Sequence, residues 1–359
     1  MTNRQPSPRL DRPPNRELKR AAVLGSPIAH SLSPALHRAG YQALGLENWA
    51  YEAIEMTSER LPDWLASLGP EWKGLSLTMP LKRTVLELVD HVQPLARMAG
   101  GANTVLFTPA GTVGANTDVH GIVAAVREVA PERQFRSATV LGGGATAASA
   151  LAALAELDLR NPRVYVRSTA RSRPMLEAAA RMGVEPQLRK LRDDRPPIDW
   201  PADLTISTLP SHAADALAQD LAIGLSPSAT ARLAPITAAS SGPMAAARPA
   251  PSATAHTALS TATKGVASSA MNPAVSPVTS NGVDPVASLA ANPNTLAPGP
   301  PVLLDAAYDP WPSALAEAWA EAGGTVVSGK TMLLHQAAAQ FQLMTGIAAP
   351  LEQMRAAIT

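Results

Sequence analysis

The 359-residue sequence contains no cysteine. That excludes disulfides, thiolate metal sites and a cysteine nucleophile, and it is consistent with a reducing cytosol. Aromatic residues are scarce, at 4%, and net charge is nearly absent, since 30 basic and 29 acidic side chains leave a formal +1. No field of one sign covers such a molecule, so nucleic acid and anionic membrane are poor partners and a small molecule is the better one. Also missing is any apolar run near the roughly 20 residues that cross a bilayer, and the start of the chain lacks the apolar core of a signal peptide. The chain reads as a soluble cytoplasmic protein. What it does have is 46% hydrophobic content, in a chain long enough for two ordinary domains.

Residues 1–20 hold six Arg or Lys and four Pro. They are expected to form a disordered tail, because so few large aliphatic residues cannot offset the entropy of ordering. From "RAAVLGSPIAH" onward, short aliphatic runs alternate with helical patterns: strands at 21–25, 49–55 and 73–78, helices at 33–45, 58–67 and 81–88, then strands near 103–107 and 112–115. Such alternation predicts a mainly parallel sheet with crossover helices. A second unit opens at "SATVLGGGATAASALAALAELD" and continues through the strands "PRVYVR", "DLTIST" and "PVLLDA". Between the last two strands, residues 224–300 carry eleven prolines, four charges and no aromatic residue. That stretch is expected to be a disordered insertion, tolerated because loop closure costs grow only with the logarithm of length.

"VLGGGATAAS" places Gly142, Gly144 and Ala147 as G-x-G-x-x-A between a strand and a helix. The first glycine permits a tight turn and the second lets backbone approach a pyrophosphate. Ala147 keeps helix and strand close, with the helix N-terminus facing the phosphates. The next strand ends "YVRSTARSR", with Arg167, Arg171 and Arg173 and no carboxylate to accept ribose hydroxyls. Guanidinium groups suit a ribose 2′-phosphate, so NADP is favoured over NAD. Arg173 is read as an ordinary surface charge.

"GLSLTMPLK" delivers a lone lysine, Lys82, just past a strand, and a functional lysine needs partners. Three polar stretches, "GSPIAHSLSP", "GGANTV" and "GANTDVHG", are each read as following a strand. At one edge of a parallel sheet, Ser31, Ser33, Thr78, Lys82, Asn103 and Asp118 would then converge into a lining for a hydroxyl-rich acid. "NTDVHGIVAAVREV" also reads as a helix cap followed by its helix. His30, His37 and His335 match no metal spacing and are expected to make structural hydrogen bonds.

Together, "GSPIAHSLSPALH", "LTMPLK", "GANTV", "GANTDVHG", "GGGATAAS" and "DAAYDPWPSAL...SGKTMLLHQAAAQF" resemble shikimate dehydrogenases in sequence and order, over roughly residues 21–219 and 301–350. The resemblance implies NADPH-dependent, reversible reduction of 3-dehydroshikimate to shikimate in the pathway to aromatic amino acids. It places Ser31 and Ser33 on the substrate carboxylate, and Thr78, Lys82, Asn103 and Asp118 around the ring hydroxyls, with Tyr308 and Gln336 also at the substrate. It maps cofactor contacts to Gly142, Gly143, Gly144, Ala145, Arg167, Thr169, Arg171, Thr208, Gly329 and Met332. Two positions depart from the family pattern: Ser76 stands where many members have Asn, and Val166 where many have Asn before the arginine.

Oxidising an alcohol removes a hydride and a proton, and a nicotinamide takes only the hydride. Lys82 is the candidate to relay the proton, with Asp118 to orient it. The expected architecture is α/β, with two α/β domains flanking a cleft: a substrate domain of residues 21–120 and 331–359, and a Rossmann-like NADP domain of residues 121–330. No metal is expected, and the oligomeric state is expected to be monomer or homodimer. The alternatives are a quinate/shikimate dehydrogenase, which Ser33 and the arginines oppose, and a non-catalytic NADP-binding protein, which would be expected to lose the lysine and aspartate.

Overall fold

The computed structural model describes residues 17–191, 202–224 and 298–359. Most of the expected tail and insertion lies outside the described residues. Among the described residues, twelve strands form two six-stranded sheets.

The first sheet comprises β1 (Lys19–Gly25), β2 (Trp49–Glu55), β3 (Trp72–Leu77), β4 (His91–Val92), β5 (Thr104–Thr108) and β6 (Gly111–Ala115), in the order β2-β1-β3-β5-β6-β4. β1 to β3 are parallel neighbours, linked through α1 (Ser33–Ala43) and α2 (Leu61–Ala66). The expectation of parallel pairing fails at β5, which runs antiparallel to both β3 and β6. Only Pro109 and Ala110 separate β5 from β6, and so short a link closes a hairpin but cannot make a crossover. β1 also starts two residues inside the expected tail. Lys19 sits over the Trp49 ring, and the Arg20 guanidinium lies 4.5 Å from the Trp72 ring centre and 2.8 Å from Glu52. Aromatic and acidic neighbours thus hold two basic residues in the strand.

Reversal of β5 has a functional consequence. "GGANTV" follows a helix, α4 (Pro94–Ala99), rather than a strand, yet the start of β5 lies beside the end of β3, where Leu77 N donates to the Asn103 carbonyl at 2.7 Å. Asn103 therefore reaches the same sheet edge as Thr78 and α3 (Leu81–Thr84), which carries Lys82.

The second sheet comprises β7 (Ala138–Leu141), β8 (Arg163–Val166), β9 (Gln187–Lys190), β10 (Leu204–Ser207), β11 (Val302–Asp305) and β12 (Thr325–Ser328). All are parallel, in the order β12-β11-β10-β7-β8-β9, which reverses between β7 and β10. This is the doubly wound dinucleotide-binding topology, whose ligands bind outside the carboxyl ends of the strands at the switch point. The inner strands β7, β10 and β11 are buried throughout, as strands covered on both faces must be.

Helices α5 (Asp118–Val129), α6 (Ala145–Glu156) and α7 (Arg173–Arg181) share one core with this sheet, while α8 (Asp215–Gly224) and α9 (Ala314–Glu321) lie in the other. The chain then returns to the first sheet. Leu334, Ala337, Phe341 and Met344 of α10 (Gly329–Thr345) and Met354 of α11 (Leu351–Ala356) share a core with Ala21, Val23, Leu36 and Tyr51. α5 buries Val119, Ile122 and Val126 against the second sheet and turns Gly121 toward α10. A Cβ on Gly121 would lie 2.8 Å from both Gln336 Cβ and the Met332 carbonyl, so only glycine permits this helix crossing.

The last residues of the expected insertion belong to this framework. Arg133 donates to the carbonyls of Gly299 and Pro300, and also faces Asp203 at 3.6 Å.

Candidate active site

Lys82 and Asp118 come from different elements, α3 and the first turn of α5, and meet with Nζ 2.6 Å from Oδ2. Both are largely shielded, with side-chain exposures of 15% and 6%. The cap expected at Asp118 belongs instead to Asn116, whose Oδ1 accepts from the amides of Asp118 and Val119. Asn116 thereby frees the Asp118 carboxylate for other partners. Its second oxygen, Oδ1, accepts from Asn103 Nδ2 at 2.8 Å, so the carboxylate is gripped at both ends.

Around this pair lies a cavity of about 340 Å³. Ser31, Ser33, Thr78, Lys82, Asn103, Asp118, Tyr308 and Gln336 all line it, so the structure brings together every residue expected at the substrate. Gly329 and Met332, expected at the cofactor, also line this cavity. A second cleft, of about 730 Å³, shares Thr78, Lys82 and Tyr308 with the first and extends to Gly144, Ala145 and Thr208. Lys82 therefore stands where a small polar cavity opens into a larger cleft.

Of the residues expected at the cofactor, Gly144, Ala145 and Thr208 line this cleft, while Gly142, Gly143, Arg167, Thr169 and Arg171 do not. Gly142 has φ +118°, and a Cβ there would strike the Thr208 hydroxyl, so the turn requires glycine for internal reasons. Gly144 differs: a Cβ on it would meet no atom within 4 Å. Its lack of a side chain leaves the open start of α6 free for close approach, and no side chain caps the amides there. Gly143 packs against Ser172 and Val166, and the Thr208 hydroxyl donates to the Leu141 carbonyl at 2.9 Å. Arg167, Thr169 and Arg171 are exposed just beyond β8, and neither arginine is ion-paired with a described residue. Arg173, by contrast, pairs with Glu177 at 3.0 Å, as befits a surface charge.

Behind the cavity runs a buried polar chain that the motifs did not reveal. Gln340 Nε2 donates to the Asn103 carbonyl and to Thr104 Oγ1, while its Oε1 accepts from Ser76 Oγ at 2.8 Å. Ser76 in turn accepts from the Tyr51 hydroxyl at 2.6 Å. Gln340 lies four residues after Gln336, on the same helix face, and that spacing is the signal that could have found it.

The three histidines diverge. His335 meets Glu128 at 2.7 Å, as expected of a structural hydrogen bond. His30 is exposed and lines both cavities. His37 instead stacks on Tyr51 with ring centres 4.0 Å apart. Burial drives its pKa down to about 3, against the opposing effect of the Gln340 side chain, so the ring is neutral. Among the described residues no cluster of His, Asp or Glu is arranged to hold a metal ion, and no helix is long and apolar enough to cross a membrane.

A doubly wound dinucleotide-binding sheet thus shares one structure with a polar cavity that holds a lysine–carboxylate pair. Residues 23–105 match the model of the shikimate dehydrogenase substrate binding domain, and residues 329–359 that of the shikimate 5′-dehydrogenase C-terminal domain. A protein of Synechocystis named shikimate dehydrogenase (NADP(+)) is 32% identical over 210 residues, covering 58% of this chain and 68% of that protein. One of Rubrobacter xylanophilus with the same name is 36% identical over 180 residues, 49% of this chain and 61% of the relative. The crystal structure of Mycobacterium tuberculosis shikimate dehydrogenase superposes with a TM-score of 0.65 at 33% identity, over 95% of this chain and 98% of that one. A Thermus thermophilus shikimate 5-dehydrogenase solved in complex with shikimate gives 0.62 at 26% identity, over 95% and 98%. This chain belongs to the shikimate dehydrogenase family.

Proposed function

We propose that the chain catalyses the NADPH-dependent, reversible reduction of 3-dehydroshikimate to shikimate. The observation that carries this reading is the 2.6 Å Lys82–Asp118 pair at the junction of the two cavities. NADP, when bound, supplies or takes the hydride. The chain's own groups handle everything else.

Lys82 Nζ uses one proton on Asp118 and keeps two for the substrate. It gives a proton to the carbonyl oxygen during reduction, retrieves one from the alcohol during oxidation, and stabilises the alkoxide-like oxygen between them. Asp118, pinned by Asn103, holds Lys82 in place and accepts from a neighbouring hydroxyl. Gln336 completes this corner, taking a bond from Asn103 at 3.2 Å and spending its amide on the Leu333 carbonyl. Ser31 and Ser33 hold the substrate carboxylate, and Thr78 and Tyr308 close the side shared with the cleft.

On the cofactor side, Gly142, Gly143, Gly144 and Ala145 admit the pyrophosphate to the start of α6. Arg167, Thr169 and Arg171 recognise the 2′-phosphate, and Thr208, Gly329 and Met332 line the nicotinamide end. Residues 21–120 with 331–359 act as the substrate domain and residues 121–330 as the NADP domain. The enzyme works in the cytoplasm as a monomer or homodimer, and the lack of cysteine accords with that compartment.

The test is direct. Purified protein is mixed with shikimate or quinate and with NADP or NAD, and reduced-nicotinamide absorbance is followed. Fastest turnover with shikimate and NADP is expected. Faster quinate oxidation, or no turnover with any pair, sinks the reading.

A further inference from the structure

Two backbone groups determine which way every proton points in the buried chain behind the cavity. The Thr117 amide can only donate, and it bonds Asn103 Oδ1 at 2.7 Å. Asn103 must therefore present Nδ2 to Asp118. The Asn103 carbonyl can only accept, and it takes Gln340 Nε2 at 3.0 Å. The other Nε2 proton goes to Thr104 Oγ1, whose own proton goes to Asn103 Oδ1.

Both Gln340 donors are thus committed, and its Oε1 faces Ser76 as an acceptor. The Ser76 hydroxyl has one proton, and Gln340 claims it. One of its two lone pairs takes the Tyr51 proton. Tyr51 cannot readily turn away, since its ring is 1% exposed and stacked on His37. Ser76 lines the cavity wall. What it offers a ligand is a lone pair and no proton.

We propose that Ser76 is a specificity-determining residue, an acceptor-only hydroxyl that selects a substrate bearing a hydroxyl donor, not a carboxylate or carbonyl oxygen, beside it. Gln340 is the positioning residue that enforces this polarity. The inference deepens the proposed function and rests on it, with a cyclic polyol acid as the ligand class. A buried acceptor left facing a ligand without a proton costs far more than a merely absent contact.

Equilibrium binding by titration calorimetry tests this, using shikimate and the analogues that each lack one ring hydroxyl. The parent is expected to bind one of these analogues about 10- to 100-fold more weakly than shikimate. Ser76→Ala should bind shikimate weakly to a similar degree and lose no more than about twofold further on that analogue. Gln340→Leu releases the Ser76 proton and should erase the same discrimination. Tyr51→Phe keeps the Ser76–Gln340 bond and should preserve it, so these two variants decide the question if Ser76→Ala fails to fold. Should Ser76→Ala or Gln340→Leu keep the parent's full penalty for every analogue, the inference alone is overturned. Should the parent not bind shikimate, the functional reading falls and takes the inference with it.

Discussion

The two cavities that meet at Lys82 are built on opposite plans. In the smaller one, Ser76, Lys82, Asn103, Asp118, Gln336 and Gln340 bond to one another, so the polar groups of those side chains have fixed directions. In the larger one, the groups expected to contact the cofactor are Thr208 and, at the uncapped start of α6, Gly144 and Ala145, while Arg167 and Arg171 stand exposed beyond β8, outside its lining. The first plan suits a reaction that must place a proton at one oxygen. The second suits a large, charged ligand whose binding needs an open approach and tolerates local rearrangement. Pre-organisation is concentrated where charge develops during the reaction.

Removing the reacting group should expose that difference most strongly. Lys82→Ala is expected to lower kcat by about 100- to 10,000-fold while leaving the shikimate Kd within a few-fold. Steady-state kinetics with calorimetry would check it, and an unimpaired kcat would refute the division of labour between the cavities. On the open side, Arg167→Ala combined with Arg171→Ala should reduce the preference for NADPH over NADH by about 10- to 100-fold, with kcat for NADPH nearly unchanged. Fluorescence titration at several salt concentrations should show the parent's NADPH affinity falling with salt more steeply than the variant's.

Between the two plans sits the crossing of α5 and α10. Gly121→Ala forces a Cβ against the Met332 carbonyl and Gln336, and should cost about 1–3 kcal/mol of stability in denaturant unfolding, with a raised KM for shikimate. The last test concerns acid. Buried His37 titrates near 3 when folded and near 6.5 when unfolded, so between those values the unfolded chain binds more protons. Stability is therefore full above pH 6.5 and is lost as pH falls toward 3, by about 1.4 kcal/mol per unit at most. His37→Phe retains a ring to stack on Tyr51 and should flatten that slope in thermal unfolding across pH 4–6.5.

Some of this was legible in the residues themselves. Glycines 142 and 144 and the arginines after β8 stand out through type and spacing, because a tight turn and a phosphate each demand a particular chemistry, whereas Lys82 and Asp118 stood out only through the resemblance carried by the combined motifs. The antiparallel turn of β5 was less so, since an aliphatic run reads alike in either direction and only the two-residue link to β6 betrays it. Ser76 and Gln340 are 264 positions apart, and Tyr51 is 25 from Ser76. No local pattern couples such residues, so the polar chain they form could not be read before folding brought them together.

By itself the sequence determined most element types and the glycine turn, and it offered arginines suited to a 2′-phosphate. These follow from backbone sterics and functional-group chemistry, which act over a few residues. Only the tertiary structure decided that β5 reverses and that Gln340 and Tyr51 dictate which way the Ser76 proton points. Those outcomes depend on hydrogen-bond directions and close packing between distant segments, and they acquire definite geometry only once water is excluded from between them.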